Sequence, residues 1–354
     1  MAETFTLSEL VIPGTYIRVR AEGLISVGGI STGNIGIVGT SNTGVGETFI
    51  LSDYEGAKAV LGEYGAGELN LTRSIELLYQ NGARTVFARA LAANAAGQDD
   101  YIAAFNELAK DAVNILVAPQ LSTDAAKAVF GTVLDTAENN NKDMMAVIGS
   151  DANTVANITA QAPANDRIIM AAPGIRAFDA AAGQDVALSG TYSAAAVAGL
   201  LSTLTPQSSP TNKVLSGVVN LAQRFSYGEA SQLVSGRVMV LEDRQGIRVV
   251  RGLTTDDAAF KQVTTRRIVD FAKAGIRQAS NPFIGRLNNQ RVRKALQGAV
   301  DGFLTTMVSD EALISYSLEV TASRADEIAG RALVNVVLQP TFSIDFVVVT
   351  MVLE

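Results

Sequence analysis

The chain is organised around the stretch from Lys261 to Glu354, which opens with KQVTTRRIVDFAKAGIRQAS (261–280) and closes with TFSIDFVVVTMVLE (341–354). In the opening segment, apolar residues recur at the i, i+3, i+4, i+7 spacing that is typical of one face of a helix. A second segment with the same spacing follows Asn288, which we predict as its N-cap. The stretch therefore begins with two amphipathic helices.

The closing segment has the pattern of a β-strand. Its alternating apolar residues are Phe342, Ile344, Phe346 and Val348. Side chains two apart in a strand share a face, so this spacing predicts one apolar face. An apolar strand without a partner sheet is an aggregation hazard. Two interpretations are open: the strand pairs within its own domain, or it completes a sheet in another copy of the chain by β-strand addition.

A second extended apolar segment lies near the other end of the chain, in residues 5–20, and Pro13-Gly14 marks a turn within it. The apolar residues that we assign to it as contacts are Leu10, Ile12, Tyr16 and Ile17. An extended apolar segment at each end of the chain is a second indication of pairing between copies.

Composition excludes several classes of function. The 354 residues include no cysteine, histidine or tryptophan, and the net charge is −7. Without Cys and His, the commonest metal ligands and the commonest general base are missing. The acidic balance disfavours a broad nucleic-acid surface, and we see neither a secretory leader nor a membrane-spanning run. We therefore expect a soluble, cytoplasm-made protein with no cofactor, no metal, and no direct contact with nucleic acid or membrane.

Helix-like and strand-like segments alternate between residues 96 and 204. Compact apolar strands are predicted at 113–118, 144–148 and 167–171, with helices between them. Such alternation, with continuously apolar strands, favours a largely parallel sheet covered by helices. The predicted fold class is therefore α/β, with more than one domain and an α+β part towards the C-terminus.

The segment GTSNTG (39–44) has the Gly-x4-Gly spacing of a phosphate loop after a strand. Val45 stands where that loop needs a lysine, so we predict a surface turn. The alternative for the whole chain is an enzyme that binds a nucleotide or small molecule on residues 96–204. The sequence marks no site for it.

Basic residues cluster between Lys261 and Lys294, where nine stand against a single acid, Asp270. The simplest interpretation is a solvated face on two helices. The other two are an acidic protein partner and nucleic acid. Because no aromatic residues interleave in stacking register and the chain is acidic overall, we favour an acidic protein surface.

Several short motifs, taken in order, resemble the tail sheath proteins of contractile phage tails and related injection machines. They are VIPGTYI (11–17), SPTNK (209–213) with GVV (217–219), QGIRVVRGLT (245–254), RRIVDF (266–271) with FIG (283–285), and YSLEV (316–320). Thr15 departs from the valine of the family's Pro-Gly-Val-Tyr signature. Residues 21–205 are similar only in their α/β character.

The resemblance implies a structural protein and not an enzyme. A sheath subunit polymerises with itself as stacked hexameric rings around an inner tube, and contraction drives the tube through a target envelope. The domains that the resemblance implies are a strand-exchange arm (1–20), an outer α/β domain (21–245) with its core at 96–204, an inner C-terminal domain (246–340) and a second arm (341–354).

The resemblance also implies partners and a location. The expected partners are other copies of the chain, the inner tube protein, and baseplate and tail terminator proteins, in a virion tail or an extracellular contractile particle. A helix of the inner domain faces the tube in this family. We assign that contact to Arg291, Arg293 and Lys294.

Overall fold

A computed structural model describes residues 29–93 and 96–352 of the chain. The predicted N-terminal arm, with Leu10, Ile12, Tyr16 and Ile17, lies outside the described residues. In the described part, no helix combines the length and the apolar character needed to cross a membrane.

Strands and helices alternate along most of the chain. The strands are β1 (Ile35–Ser41), β2 (Thr48–Leu51), β3 (Val86–Ala92), β4 (Ile115–Val117), β5 (Met145–Gly149), β6 (Ile168–Ala172), β7 (Ile175–Asp179), β8 (Gln184–Leu188), β9 (Asn220–Leu221), β10 (Met239–Asp243), β11 (Ile247–Val249), β12 (Leu313–Thr321) and β13 (Leu333–Pro340). The helices are α1 (Tyr54–Leu61), α2 (Leu71–Gln80), α3 (Gln98–Leu108), α4 (Thr123–Asn139), α5 (Val155–Gln161), α6 (Gly190–Thr203), α7 (Tyr227–Ser235), α8 (Val263–Ser280), α9 (Gln290–Ser309) and α10 (Arg324–Ile328).

An eight-stranded sheet forms the centre of the larger part of the molecule, in the order β11-β10-β6-β5-β4-β1-β3-β2. The neighbours from β10 to β3 pair in parallel, and the edge strands β11 and β2 pair antiparallel. Strands β4, β5 and β6 are buried along their whole length, as expected of parallel strands covered on both faces. The predicted largely parallel sheet is confirmed.

Alternate residues of each strand supply two hydrophobic cores, one on each face of this sheet. Along β5, Met145 and Val147 join the core beneath α2 and α6, whereas Ala146 and Ile148 join the core beneath α3 and α4. This division follows from the two-residue period of a strand. Helix α4 begins where the Ser122 side chain accepts a hydrogen bond from the backbone of the first turn.

A third hydrophobic core lies apart from the other two, between α8, α9 and the antiparallel pair β12–β13. Helices α8 and α9 meet closely at Gly275, where an added Cβ would lie 1.9 Å from the Phe303 ring. A glycine is therefore needed for this contact. The two predicted amphipathic helices are present, and their apolar faces form this core.

Two sequence expectations fail in detail, and one sheet was not foreseen. The N-cap of α9 is Asn289 and not Asn288, because the Asn289 side chain accepts from the Val292 amide at 3.0 Å. The small sheet β8-β7-β9 was not predicted. Residues 341–352 belong to no strand of the described structure. The interpretation that the closing segment pairs within its own domain is therefore not what the isolated chain shows.

Candidate assembly site

The closing segment, residues 341–352, exposes its apolar residues to solvent; we call it the C-terminal arm. Phe342, Ile344, Phe346 and Val348 are exposed by 61%, 83%, 74% and 90%. The half-buried residues are instead the alternating polar ones, Thr341, Ser343 and Asp345. Up to Phe346 the arm therefore turns its polar side towards its own subunit and its apolar side outwards, and residues 347–352 are exposed on both sides. Exposed apolar surface of this kind is typical of sites of protein interaction.

Four residues hold the base of the arm, and we call them the arm root: Arg251, Gln262, Ser343 and Asp345. The Asp345 carboxylate accepts from Arg251 Nε at 2.7 Å and from Gln262 Nε2 at 3.1 Å. The Ser343 amide donates to Gln262 Oε1 at 3.2 Å. The Asp345 side chain is 6% exposed, so these are shielded bonds to a charged group.

Two of the motifs that carried the family resemblance meet beside the arm root. The Gly252 amide donates to Thr211 Oγ1 at 3.0 Å, and an added Cβ at Gly252 would lie 2.7 Å from Pro210 Cγ. The Asn212 amide donates to the Val249 carbonyl at 2.7 Å. The segments 209–213 and 245–254 therefore pack against each other, and Arg251 is positioned by this contact.

The pair β12–β13 presents exposed apolar side chains and open strand edges in the described part of the chain. Its inner face packs on α9 through Tyr316, Leu318 and Val320, whereas Ile314 and Val337 stay exposed by 56% and 69%. In the described part of the chain neither strand has a second neighbour. An isolated two-stranded sheet is marginal, and an open edge is a template for pairing with another chain.

The three basic residues predicted to touch the tube do not share one environment. Arg291 and Lys294 are exposed on the first turns of α9. Arg293 instead donates to Glu327 Oε1 at 3.0 Å and to Asn288 Oδ1 at 2.8 Å. The structure therefore brings Arg291 and Lys294 to the surface and commits Arg293 to a contact within the subunit. Whether any of them touches a tube stays a prediction.

Much of the remaining basic block faces acidic residues of the same chain. We call this group the ion cluster: Glu138, Asp143, Arg167, Arg266, Asp270, Lys273 and Arg277. Arg167, at the start of β6, donates to Glu138 at 3.0 Å, to Asp143 at 3.1 Å and to Asp270 at 3.0 Å. From α8, Lys273 and Arg277 both pair with Asp143. The acidic surface that these cations meet is therefore the chain's own α/β part.

Burial and charge act against each other within the ion cluster. Burial tends to raise the pKa of Asp143, but the hydrogen bonds from Lys273 and Arg277 prevail and hold that pKa below its usual range. For Asp270 burial prevails and raises the pKa, although Arg266 and Arg167 oppose it. Outside the cluster, burial lowers the pKa of Arg267 to about 10. Its guanidinium donates to backbone carbonyls, among them Leu204 O at 2.8 Å.

At the carboxyl ends of the parallel strands, where an α/β enzyme would bind its ligand, several polar groups are hydrogen-bonded to one another. The predicted surface turn at 39–44 is only partly correct, because residues 39–41 are the end of β1. Within it, the Thr40 amide donates to Gln120 Oε1 at 2.6 Å. Asp151 accepts from the Thr123 amide at 3.1 Å and from Gln161 at 2.6 Å. Among the described residues, no group of acidic side chains could hold a metal ion.

Two family models match the sequence, and they adjoin. The model described as the phage tail sheath protein central domain matches residues 94–255, and the phage tail sheath C-terminal domain matches residues 255–354. The chain belongs to the contractile tail sheath family. The match confirms the resemblance that the short motifs indicated. Together the two family models cover residues 94–354 of this sheath protein.

Solved structures are similar over nearly the whole length. The sheath protein has a TM-score of 0.77 with the contracted helical sheath of the anti-feeding prophage, at 17% identity over 97% of this chain and 99% of that one. The contracted sheath complex of an extracellular contractile injection system, PVC, gives 0.76 at 16% identity over 99% of both chains. A sheath tail protein from Desulfitobacterium hafniense gives 0.67 at 14% identity, over 93% of this chain and 100% of that one. At such identities the likeness shows the fold. None of the curated protein sequences compared with the chain matches it.

The family consists of structural subunits. The sheath protein is therefore a contractile sheath subunit and not an enzyme, and the enzyme alternative on residues 96–204 has no support. No pattern in the sequence singles out Arg251 or Gln262, although Arg251 lies inside one of the quoted motifs. Their partners, Ser343 and Asp345, lie more than eighty residues away in the chain, so spacing alone could not reveal them.

Proposed function

We propose that the sheath protein polymerises with copies of itself through its two arms, as stacked hexameric rings around an inner tube, and that contraction drives this tube through a target envelope. One observation carries the proposal: the C-terminal arm exposes its apolar side and turns its polar side inwards. The outer and inner domains, with the boundaries predicted above, are part of the same proposal.

The energetics favour a sheet edge as the receptor of the arm. Burial of a large apolar side chain contributes about 1.5–3 kcal/mol, and each backbone hydrogen bond adds about 1 kcal/mol net. Ordering costs about 1–2 kcal/mol for each residue, so backbone hydrogen bonds alone do not offset it, and burial of apolar side chains has to be added. An edge of β12–β13 in a neighbouring copy offers both, because it presents unpaired backbone groups beside the exposed Ile314 and Val337.

The remaining contacts are proposed on charge. Arg291 and Lys294 are exposed cations at the start of α9, and a complementary acidic tube surface would guide the register between sheath and tube. The ends of the sheath would meet baseplate and tail terminator proteins. The particle would be a virion tail or an extracellular contractile particle.

The test removes the apolar side of the arm without shortening the chain. Replacing Ile344, Phe346 and Val348 together with serine should abolish polymers in negative-stain electron microscopy and leave the melting temperature unchanged, because these side chains are exposed in the subunit. The matched control is Ile328→Ser, an apolar residue outside the arm that is 77% exposed. It should polymerise normally. Normal polymers of the triple variant would refute the arm as the assembly contact.

A further inference from the structure

Asp345 is the charged residue of an otherwise uncharged apolar arm, in residues 341–352. A carboxylate is costly to bury unless it is paired and hydrogen-bonded. Here the Asp345 side chain is 6% exposed, and its carboxylate accepts hydrogen bonds from Arg251 and Gln262. Arg251 lies in the segment after β11, and Gln262 is the residue before α8. Two segments that lie more than eighty residues earlier in the chain therefore converge on one residue of the arm.

The Gln262 side chain hydrogen-bonds the backbone of the arm as a neighbouring strand would. Its side-chain amide accepts from the Ser343 amide at 3.2 Å and donates towards the Ser343 carbonyl at 3.4 Å. Both backbone groups of Ser343 are thus engaged within the subunit. Beyond Asp345, the Arg251 guanidinium lies over the Phe346 ring, 5.1 Å from its centroid. In residues 347–352 the described structure gives the arm no further hydrogen bond to its own subunit.

We propose that Arg251, Gln262 and Asp345 form a clamp that fixes where the arm leaves its own subunit and which face it presents, so that strand exchange with a second copy begins at Phe346. The inference rests on the proposed function of the arm. It adds that the register of exchange is set inside the donor subunit and not only by the receiving sheet.

The need for such a clamp follows from the period of a strand. A slip by one residue moves every side chain to the opposite face, and the run Phe346–Val349 is apolar on both faces. The apolar pattern of this run therefore does not determine the register in which it pairs. A clamp at residues 343–345 fixes the register before the arm docks on a second copy. It also removes part of the entropic cost of ordering the arm on docking.

The test follows the mobility of the arm and its assembly separately. Because the chain contains no cysteine, Val349→Cys, at a position exposed by 70%, can carry a single spin label. In Asp345→Asn we expect a more mobile label on the unassembled subunit. We also expect a critical concentration for polymers raised about ten-fold, because releasing one ordered residue costs roughly that factor.

Two further variants isolate the clamp from general stability. Gln262→Ala removes the bonds to Ser343 but keeps the Arg251–Asp345 pair, and it should also raise both label mobility and critical concentration. The exchanged pair Arg251→Asp with Asp345→Arg should restore both towards the unaltered chain. If Asp345→Asn does not fold, Gln262→Ala alone tests the clamp. Label mobility and a critical concentration in that variant equal to those of the unaltered chain would overturn the clamp.

Truncation after Asp345 separates this inference from the proposed function. Polymers formed by the truncated chain would refute the arm, and the clamp with it. If truncation abolishes polymers while Asp345→Asn and Gln262→Ala assemble as the unaltered chain does, the arm stands and the clamp is wrong. The expected result is loss of polymers on truncation and a shifted critical concentration in both point variants.

Discussion

The two main sheets of the sheath protein differ in whether they are complete. In the eight-stranded sheet, the strands β4, β5 and β6 are buried on both faces and paired on both sides. In the two-stranded sheet, β12 and β13 are half exposed, and their outer edges lack a neighbour among the described residues. The first part is stabilised by its own contacts. The second has an open edge and an exposed arm, which under the proposed function are completed by another copy.

The comparison separates two kinds of mutation. Changes in the α/β part, or at its junction with α8, should alter the stability of the single subunit. Changes at the arm or on the exposed side of α9 should alter assembly and leave the subunit folded. The predictions below test this division, beginning with the largest expected change in the free energy of unfolding.

Arg167→Ala should be the most damaging. Arg167 is buried and pairs with Glu138, Asp143 and Asp270, so its removal takes one cation away from two buried carboxylates. Asp143 then keeps only Lys273 and Arg277, and Asp270 keeps only Arg266. Removing one member of a buried pair costs about 3–5 kcal/mol, measurable by urea denaturation. The control is Arg324→Ala, which removes an 83% exposed partner of Glu327 and should cost less than about 1 kcal/mol. Equal losses in the two variants would contradict a structural role for the ion cluster.

Gly275→Ala should cost about 1–3 kcal/mol, because the added methyl group overpacks the contact between α8 and α9. An added Cβ there would lie 1.9 Å from the Phe303 ring. The matched control is Gly298→Ala, in the interior of α9 with no atom within 4 Å of the added Cβ. It should stabilise by about 0.4–1 kcal/mol through the unfolded chain. Denaturation that ranks the two variants in the opposite order would show that α8 and α9 do not pack as described.

Acid should weaken the junction through Asp143. Because Lys273 and Arg277 hold its pKa below the usual range, the stability that it contributes is present above the unfolded pKa of about 3.9 and is lost as the pH falls through the folded value. Asp270 acts in the opposite sense, since its pKa is raised. The variant Asp143→Asn should therefore have a lower free energy of unfolding at pH 7 than the unaltered chain. It should also lose less of that free energy as the pH falls below about 4. An acid limb with unchanged slope would exclude Asp143 as its source.

Periodicity in the sequence was enough to predict the parallel sheet and the pair α8–α9, because these depend on patterns within one segment. It also indicated that residues 341–354 are unusual. It did not show which side of the arm faces its own subunit, because that depends on Arg251 and Gln262, which are remote in sequence. For the same reason the basic residues of α8 looked free. Their partners, such as Asp143 and Asp166, lie a hundred or more residues earlier.

The smallest effect on the subunit, and a complete effect on the assembly, is expected for Arg291→Glu combined with Lys294→Glu. Both side chains are exposed at the N-terminal end of α9, where the helix dipole disfavours cations by about 0.3–1 kcal/mol each. Reversal should therefore leave the melting temperature unchanged or slightly raised. Local helix stability gives no reason for two cations there, whereas an acidic tube surface does.

The assembly of this double variant distinguishes the exposed side of α9 from the α/β part. We expect electron microscopy to show tubeless polymers or none, since the arm is intact but the contact with the tube meets like charge. The control is Arg84→Glu with Lys110→Glu, which changes the net charge equally at exposed positions of the α/β part. That variant should form sheaths around tubes. Normal extended sheaths in the α9 variant would mean that the tube contact lies elsewhere, because two reversed charges at a complementary interface cost several kcal/mol.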